Sequence, residues 1–422
     1  MPLRPALLLR IVPLIGAALA AGLVAPAAAQ SVATPGRDAP LAVSDLARLG
    51  SGGAVAALPT LDSPFLANPA HVTTRGLTVN VVGATAGVGG NVGETWTFYR
   101  DDLGPAIERG LDTLPDDSLQ ALYAEALRIG AAPKTSDLAV LAPSVRLAAG
   151  PVGLGVAVYG QSTARGRFVD GGAGVPFLDL YGQADLAVPV VAGVDLARTP
   201  AGAALPFGLR LGASATALQR RVTAKAETVD ALDPDNEKLY VLSATGVRLA
   251  AGALASDVGL PGLDVGAEVS NVGGALDYAF DRSVAVAGAG GQPDDAAEIA
   301  ALQARFSGRA PEPVVRLGLA YRPVLNALPL VSDAALALDY TSASTAEADQ
   351  SVRAGLRLGA RALIGGVLGL RAGLSQGMPS AGVALSARFV RVEYATYGVE
   401  DGRLLGQQPR RNHVVQLRLG RF

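Results

Sequence analysis

The 422-residue chain contains no cysteine. That excludes disulfides, thiolate metal sites and thiol redox chemistry, and it suits a chain that crosses an oxidising periplasm. Histidine is nearly absent too. His71 and His413 are too few and too far apart in sequence to argue a metal site, and no motif calls for a cofactor. Past residue 29 no run of 18 apolar residues occurs, although mean hydropathy is positive, so helical membrane spans are excluded. There is no basic tract, and the net charge is only −2, which excludes a nucleic-acid partner. Aromatic residues make up 5%, few for a protein that needs interfacial girdles.

What is present begins with a leader. Arg4 and Arg10 precede the apolar run Ile11 to Val24, and Ala27-Ala28-Ala29 supplies small residues for cleavage. Residues 1–29 therefore read as a signal peptide. Removing the two arginines leaves a net charge of −4. Residues 30–43 read as a flexible lead, 44–74 as a compact piece without repeats, and 75–422 as one long β region.

In that region polar and apolar residues alternate over segments of about ten. In 351–361, Val352, Ala354, Leu356, Leu358 and Ala360 alternate with Arg353, Arg357 and Arg361. The segments 206–216, 312–322, 333–341 and 364–374 repeat the pattern. Further strands are expected at 77–88, 138–149, 152–163, 184–195, 238–252, 263–272, 379–387, 389–398 and 411–421, with 274–283 ambiguous. Turn residues such as Gly150-Pro151 and Pro261-Gly262 separate them. Two stretches break the rhythm. Residues 99–130 and 292–306 carry helical spacing, with helix restarts at Pro115-Asp116-Asp117-Ser118 and after Gln292-Pro293-Asp294-Asp295.

The polar faces collect glycine and arginine: Arg146, Arg210, Arg316, Arg353, Arg357, Arg361, Arg371 and Arg418. An arginine pointing into lipid costs roughly 2–4 kcal/mol at the midplane, so these must face inward. The fold expected is all-β, a single transmembrane antiparallel barrel of about 14 strands. The arginines have two readings. They are structural ladders paired with carboxylates such as Asp333, Asp339 and Glu393, or Arg210, Arg316, Arg353, Arg357, Arg361 and Arg371 line a basic path for an anionic ligand.

Other motifs carry less. Gly373-Leu374-Ser375-Gln376-Gly377 matches a nucleophile pattern, but it sits where a strand enters a turn, so no enzyme is expected. The loop at Asp233, Asp235, Asn236 and Glu237 reads as a polar turn rather than a calcium site. The terminal Phe422 matches the aromatic end that barrel-assembly machinery reads, and a bulge at Gly420-Arg421 would bring it into phase.

The run LGSGGAVAALPTLDSPFLANPAHV at 49–72 resembles the glycine-rich and asparagine-proline-alanine stretch of TraF-like outer-membrane proteins of conjugal transfer. These are related to FadL-type and PorV-type barrels. The insertion at 99–130 and the segments 208–239, 265–274 and 370–398 are also similar to that group. The resemblance implies that Asn68, Pro69 and Ala70 belong to a plug within the lumen. It implies an outer-membrane protein that takes up or binds a small hydrophobic or amphipathic molecule, or else a non-transporting accessory of conjugation or secretion. The partners it implies are membrane lipid, the assembly machinery, and such a ligand or protein.

Overall fold

The computed structural model describes residues 45–74, 76–130, 133–170, 175–228, 238–285, 294–308, 310–323, 330–342, 355–400 and 409–421. The signal peptide, the lead at 30–43, the 233–237 turn, Arg353 and Phe422 lie outside them.

The alternating segments form fifteen strands in one sheet. They are β1 (Gly76–Gly89), β2 (Lys134–Ala149), β3 (Val152–Asp170), β4 (Pro176–Asp195), β5 (Gly208–Thr228), β6 (Lys238–Ser256), β7 (Leu263–Val272), β8 (Ala279–Ala285), β9 (Val314–Tyr321), β10 (Val331–Thr341), β11 (Leu356–Ile364), β12 (Leu368–Ser375), β13 (Met378–Ala387), β14 (Val390–Glu400) and β15 (Pro409–Arg421). Each pairs antiparallel with its neighbours, and β1 against β15 closes the ring. Strands β7 and β8 both pair with β6, end to end, and share one place in the wall. The result is a closed 14-strand barrel, as the periodicity required. Closure leaves no sheet edge to satisfy in lipid.

Three differences from the sequence expectation have physical reasons. Strands β3 to β6 are 19–21 residues long, not ten. On β5 the outward face is Leu209, Leu211, Ala213, Ala215 and Ala217, then Gln219, Arg221, Thr223 and Lys225. The apolar band is about the height a tilted strand needs to cross hydrocarbon, and the strand then continues as a polar wall beyond it. The helical insertion begins earlier than expected, at helix Val92–Phe98, which Asn91 caps. It ends in the helix Asp116–Gly130, as the restart signal indicated. Finally, β15 pairs evenly through Arg421, and the irregularity falls on β1 between Asn80 and Val82.

The outer face confirms the sign of the alternation. Leu211, Leu336, Leu358, Leu385, Val415 and Leu417 stand 40–60% exposed, which only a lipid solvent tolerates over so wide an area. A shallow depression on this face is lined by Leu336, Leu338, Leu358, Ala360, Ala372 and Leu374, where small residues leave room for an acyl chain. Tyr394, hydrogen-bonded at 2.8 Å to His413, and Phe389 at the turn before β14 are exposed on the outer face. The turns at Gly150-Pro151, 365–367 and 388–389 are short and share one end, and the helical insertions share the other. One end of the barrel thus carries short turns and the other the long insertions, the asymmetry that membrane β-barrels show.

Candidate functional site: the occupied lumen

Residues 45–74 lie inside the barrel. Leu46, Ala54, Val55, Ala56, Ala70 and Val72 are fully buried there. Asn68 organises the segment. Its Oδ1 accepts from Ala70 N at 3.0 Å and caps the short helix Pro69–Thr73, where Pro69 needs no donor. Its Nδ2 donates to Ala56 O at 2.8 Å and, across to β6, to Ala253 O at 3.0 Å. One side chain thus fixes a turn, closes a loop of the segment and attaches it to the wall.

The segment runs around the inner wall on a bed of glycine. Gly153, Gly193, Gly212 and Gly252 occupy one rung across β3 to β6. Gly266 and Gly318 pair on β7 and β9, and Gly359 and Gly373 on β11 and β12. A Cβ on Gly153 would come 2.5 Å from Val72 O, on Gly373 2.5 Å from Gly52 N, and on Gly359 2.7 Å from Ser51 O. At Gly212, Gly252 and Gly266 it would meet Pro69, Asn68 and Ala56 closer still. Only a wall without side chains at these positions lets a second layer of backbone lie this near.

Polar groups fasten the two layers. The Asp339 carboxylate on β10 accepts from Val55 N at 2.6 Å and Ala56 N at 2.7 Å, an anion held by two successive backbone N–H groups. Arg361 donates to Pro59 O at 2.7 Å. Arg418 forms a buried ion pair with Asp62, which also accepts from the Tyr159 hydroxyl at 3.1 Å. Within the segment, burial beside Asp62 raises the Asp45 carboxyl above its usual range. Burial pushes the His71 imidazole down to about 4, so at neutral pH the ring is uncharged, with Nε2 3.3 Å from Val55 O.

The arginines singled out from sequence all face inward where described. Arg316 pairs with Glu268 at 2.7 Å, Arg371 with Glu393 at 2.8 Å, Arg361 with Asp333 at 2.9 Å and Arg210 with Asp195 at 3.4 Å. Arg357 is buried and donates to Leu356 O at 2.9 Å. They therefore do not form one basic path. Most are neutralised in place by a carboxylate on a nearby strand or two positions along, which is how buried charge is tolerated. Asp62, Asp185 (paired with Arg220 at 2.7 Å) and Glu268 were not singled out, because each meets its arginine only through strand pairing or through the inner segment.

Beyond the inner segment, toward the helical end, the lumen turns apolar. Tyr159, Leu218, Val222, Tyr240, Leu242, Leu276, Tyr278, Leu302 and Phe306 form one cluster with Phe65 of the inner segment. The helix Ala296–Phe306 supplies two of them and is capped by Asp295. Here the wall is interrupted. Asn271 takes a left-handed conformation (φ 60), β7 ends at Val272, and β8 resumes at Ala279. Between them Leu276 lies against Gly246, where a Cβ would be 2.5 Å away, and Arg248 donates to Gly274 O at 3.0 Å. Register places this interruption level with Ala217 and Val247, the last apolar position on the outer face of β5. The doubtful strand 274–283 was ambiguous because half of it leaves the sheet.

The nucleophile-like motif ends in a tight turn. Ser375 pairs with Met378, and Gln376 and Gly377 have φ of 53 and 76. That is hairpin geometry, with no strand-to-helix elbow. Among the described residues no His, Asp and Glu cluster could hold a metal ion.

Fold and lumen together define a plugged membrane β-barrel. No family model matches the chain, and no curated protein does. Solved structures do. The toluene transporter TbuX of Ralstonia pickettii is similar over 90% of this chain and 98% of its own, at 11% identity and a TM-score of 0.48. The Pseudomonas putida toluene transporter TodX is similar over 88% and 96%, at 11% identity and a TM-score of 0.46. The translocator domain of the autotransporter NalP from Neisseria meningitidis is similar over 83% and 89%, at 10% identity and a TM-score of 0.35.

Proposed function

We propose that the protein is a plugged outer-membrane channel for small hydrophobic or amphipathic molecules. The observation that carries this is the apolar cluster that faces the lumen beyond the inner segment, around the Arg220–Asp185 pair. A channel for polar solutes has no use for Tyr159, Leu218, Leu242, Leu276 and Phe306 in its interior. The interruption at 273–278 brings that cluster level with the upper edge of the lipid-facing band, the place where an apolar solute would pass between lumen and bilayer. The inner segment, residues 45–74, closes the lumen below.

Uptake of toluene into proteoliposomes tests this. The intact protein is expected to raise uptake well above empty vesicles. Leu276→Asp, which puts an unpaired carboxylate in the apolar cluster, is expected to lower it at least tenfold. No uptake with or without residues 41–74 would refute transport.

A second reading is favoured by the tight seating of the inner segment and by the exposed Trp96 and Tyr99, 6.1 Å apart, on the helical insertion. In it the barrel is a sealed platform of the TraF-like or PorV-like kind, and the insertion docks a secretion or conjugation protein. A partner that co-purifies with a barrel impermeable to toluene would support it.

A further inference from the structure

The helical insertion between β1 and β2 packs on the outer face of the barrel. On β3 the outward side chains Val152, Leu154 and Val156 are exposed, while Tyr159 and Thr163 are buried in the lumen. The register with β4 runs unshifted from Val152 to Asp170, so Phe168 points outward with the first set. The end of the helix Asp116–Gly130 rests on that ring. A Cβ on Gly130 would come 2.4 Å from Phe168 Cδ2, and Ala126 and Ile129 cluster with the same side chain. Lys134, which pairs with Gly166 on this outer face, donates to Ile129 O at 2.7 Å. The helix Val92–Phe98 is fastened to the longer one in turn. Phe98 joins the same cluster, and Glu94 accepts from Arg128 at 2.6 Å.

Glu94 and Phe98 stand four apart and share one face of their helix, so Trp96 turns away from the longer helix. Trp96 is 60% and Tyr99 52% exposed, with their rings 6.1 Å apart. Among the described residues neither side chain has another ring, hydrogen-bond or ion-pair partner. The lipid-facing band runs up to this place. Val88, the last outward apolar residue of β1, and Leu138, one step below it on β2, are both exposed. β1 then ends at Gly89, and the helix opens at Val92. An exposed indole and phenol continuous with a lipid-facing surface suit the head-group layer, where the rings meet the apolar boundary and the N–H and O–H stay hydrated. We propose that the helix Val92–Phe98 lies against the bilayer surface, and that Trp96 and Tyr99 anchor the helical end of the barrel in the lipid head-group layer. The insertion is thereby a membrane foot beside β1 to β3, where the second reading above would seat a protein. Such an anchor does not require that the lumen conduct.

Trp96 is the only tryptophan in the chain, so it reports its own surroundings in the unaltered protein. Its fluorescence in phosphatidylcholine vesicles is expected to fall by at least half when the acyl chains carry bromine near the head group. Iodide is expected to quench it several-fold less than in the urea-unfolded chain. Tyr99→Trp in a Trp96→Phe background moves the reporter to the second ring and is expected to give the same two results. Leu417→Trp in that background places it on the lipid-facing band and checks insertion. If brominated chains leave that variant bright as well, the membrane reading fails and the anchor with it. Brominated chains that quench Leu417→Trp and spare Trp96, or iodide quenching of Trp96 as strong as in the unfolded chain, overturn the proposal and leave the patch free for a protein partner, whatever the outcome for toluene uptake.

Discussion

Gly212→Val is expected to unseat the inner segment while leaving the barrel closed. The native backbone at Gly212 is ordinary extended strand, so valine is conformationally welcome there. The obstacle is steric: a Cβ would collide with the Pro69 carbonyl carbon and Ala70 N. Those atoms belong to a helix pinned by Asn68 and cannot yield as a flexible side chain would. Overpacking of this kind costs about 1–3 kcal/mol when side chains can adjust, and more against backbone. In planar bilayers the variant is expected to raise conductance at least tenfold, and trypsin is expected to cleave after Arg48 in the variant alone. Gly160→Val is the control, because Gly160 lies on the outer face with only Val140 O at 4.0 Å from an added Cβ. A Gly212 variant as closed and protected as its parent would show that the segment does not rest on the glycine rung.

Arg418→Met is expected to be the most destabilising single change at the ion pairs. Arg418 is 2% exposed and pairs with Asp62, with its Nε donating to Gln416 Oε1 at 2.6 Å. Removing it leaves the Asp62 carboxylate buried without its counter-ion, a loss of about 3–5 kcal/mol. Urea unfolding in lipid vesicles, followed by circular dichroism, measures this. Adding Asp62→Asn is expected to recover more than half, since the stranded charge is then gone. If the double variant is no more stable than Arg418→Met, the cost lies in packing rather than in the pair.

Both expectations turn on features the sequence carried without showing their meaning. The alternation that puts Leu209 and Leu211 outward and Arg210 inward is legible locally, because strand period is a property of neighbouring residues. Glycine on the inward face is equally legible. That Gly153, Gly193, Gly212 and Gly252 form one rung is not, since it depends on the registers of three hairpins. The same holds for the ion pairs: Asp333 and Glu393 lie near their arginines in the pattern, whereas Asp62 reaches Arg418 across 356 positions. The Asn68-Pro69-Ala70 motif marks a cap by its chemistry alone. Its role as a fastener needed Ala253 O, which the pattern of β6 cannot announce. The extra length of β5 was not legible because past Ala217 the pattern inverts: the outward positions become Gln219, Arg221, Thr223 and Lys225, while Leu218, Val222 and Ala224 face inward.

The account rests on a two-faced wall, lipid outside and an occupied lumen inside. The absence of cysteine makes it directly measurable by placing single spin labels at positions 209 to 225 of β5 in lipid vesicles. Oxygen accessibility is expected to peak at 209, 211, 213, 215 and 217 and to drop at 210, 212, 214 and 216. From 219 onward the outward positions should instead be reached by a water-soluble nickel reagent. Oxygen accessibility without alternation, or nickel access at 211, 213 and 215, would contradict it.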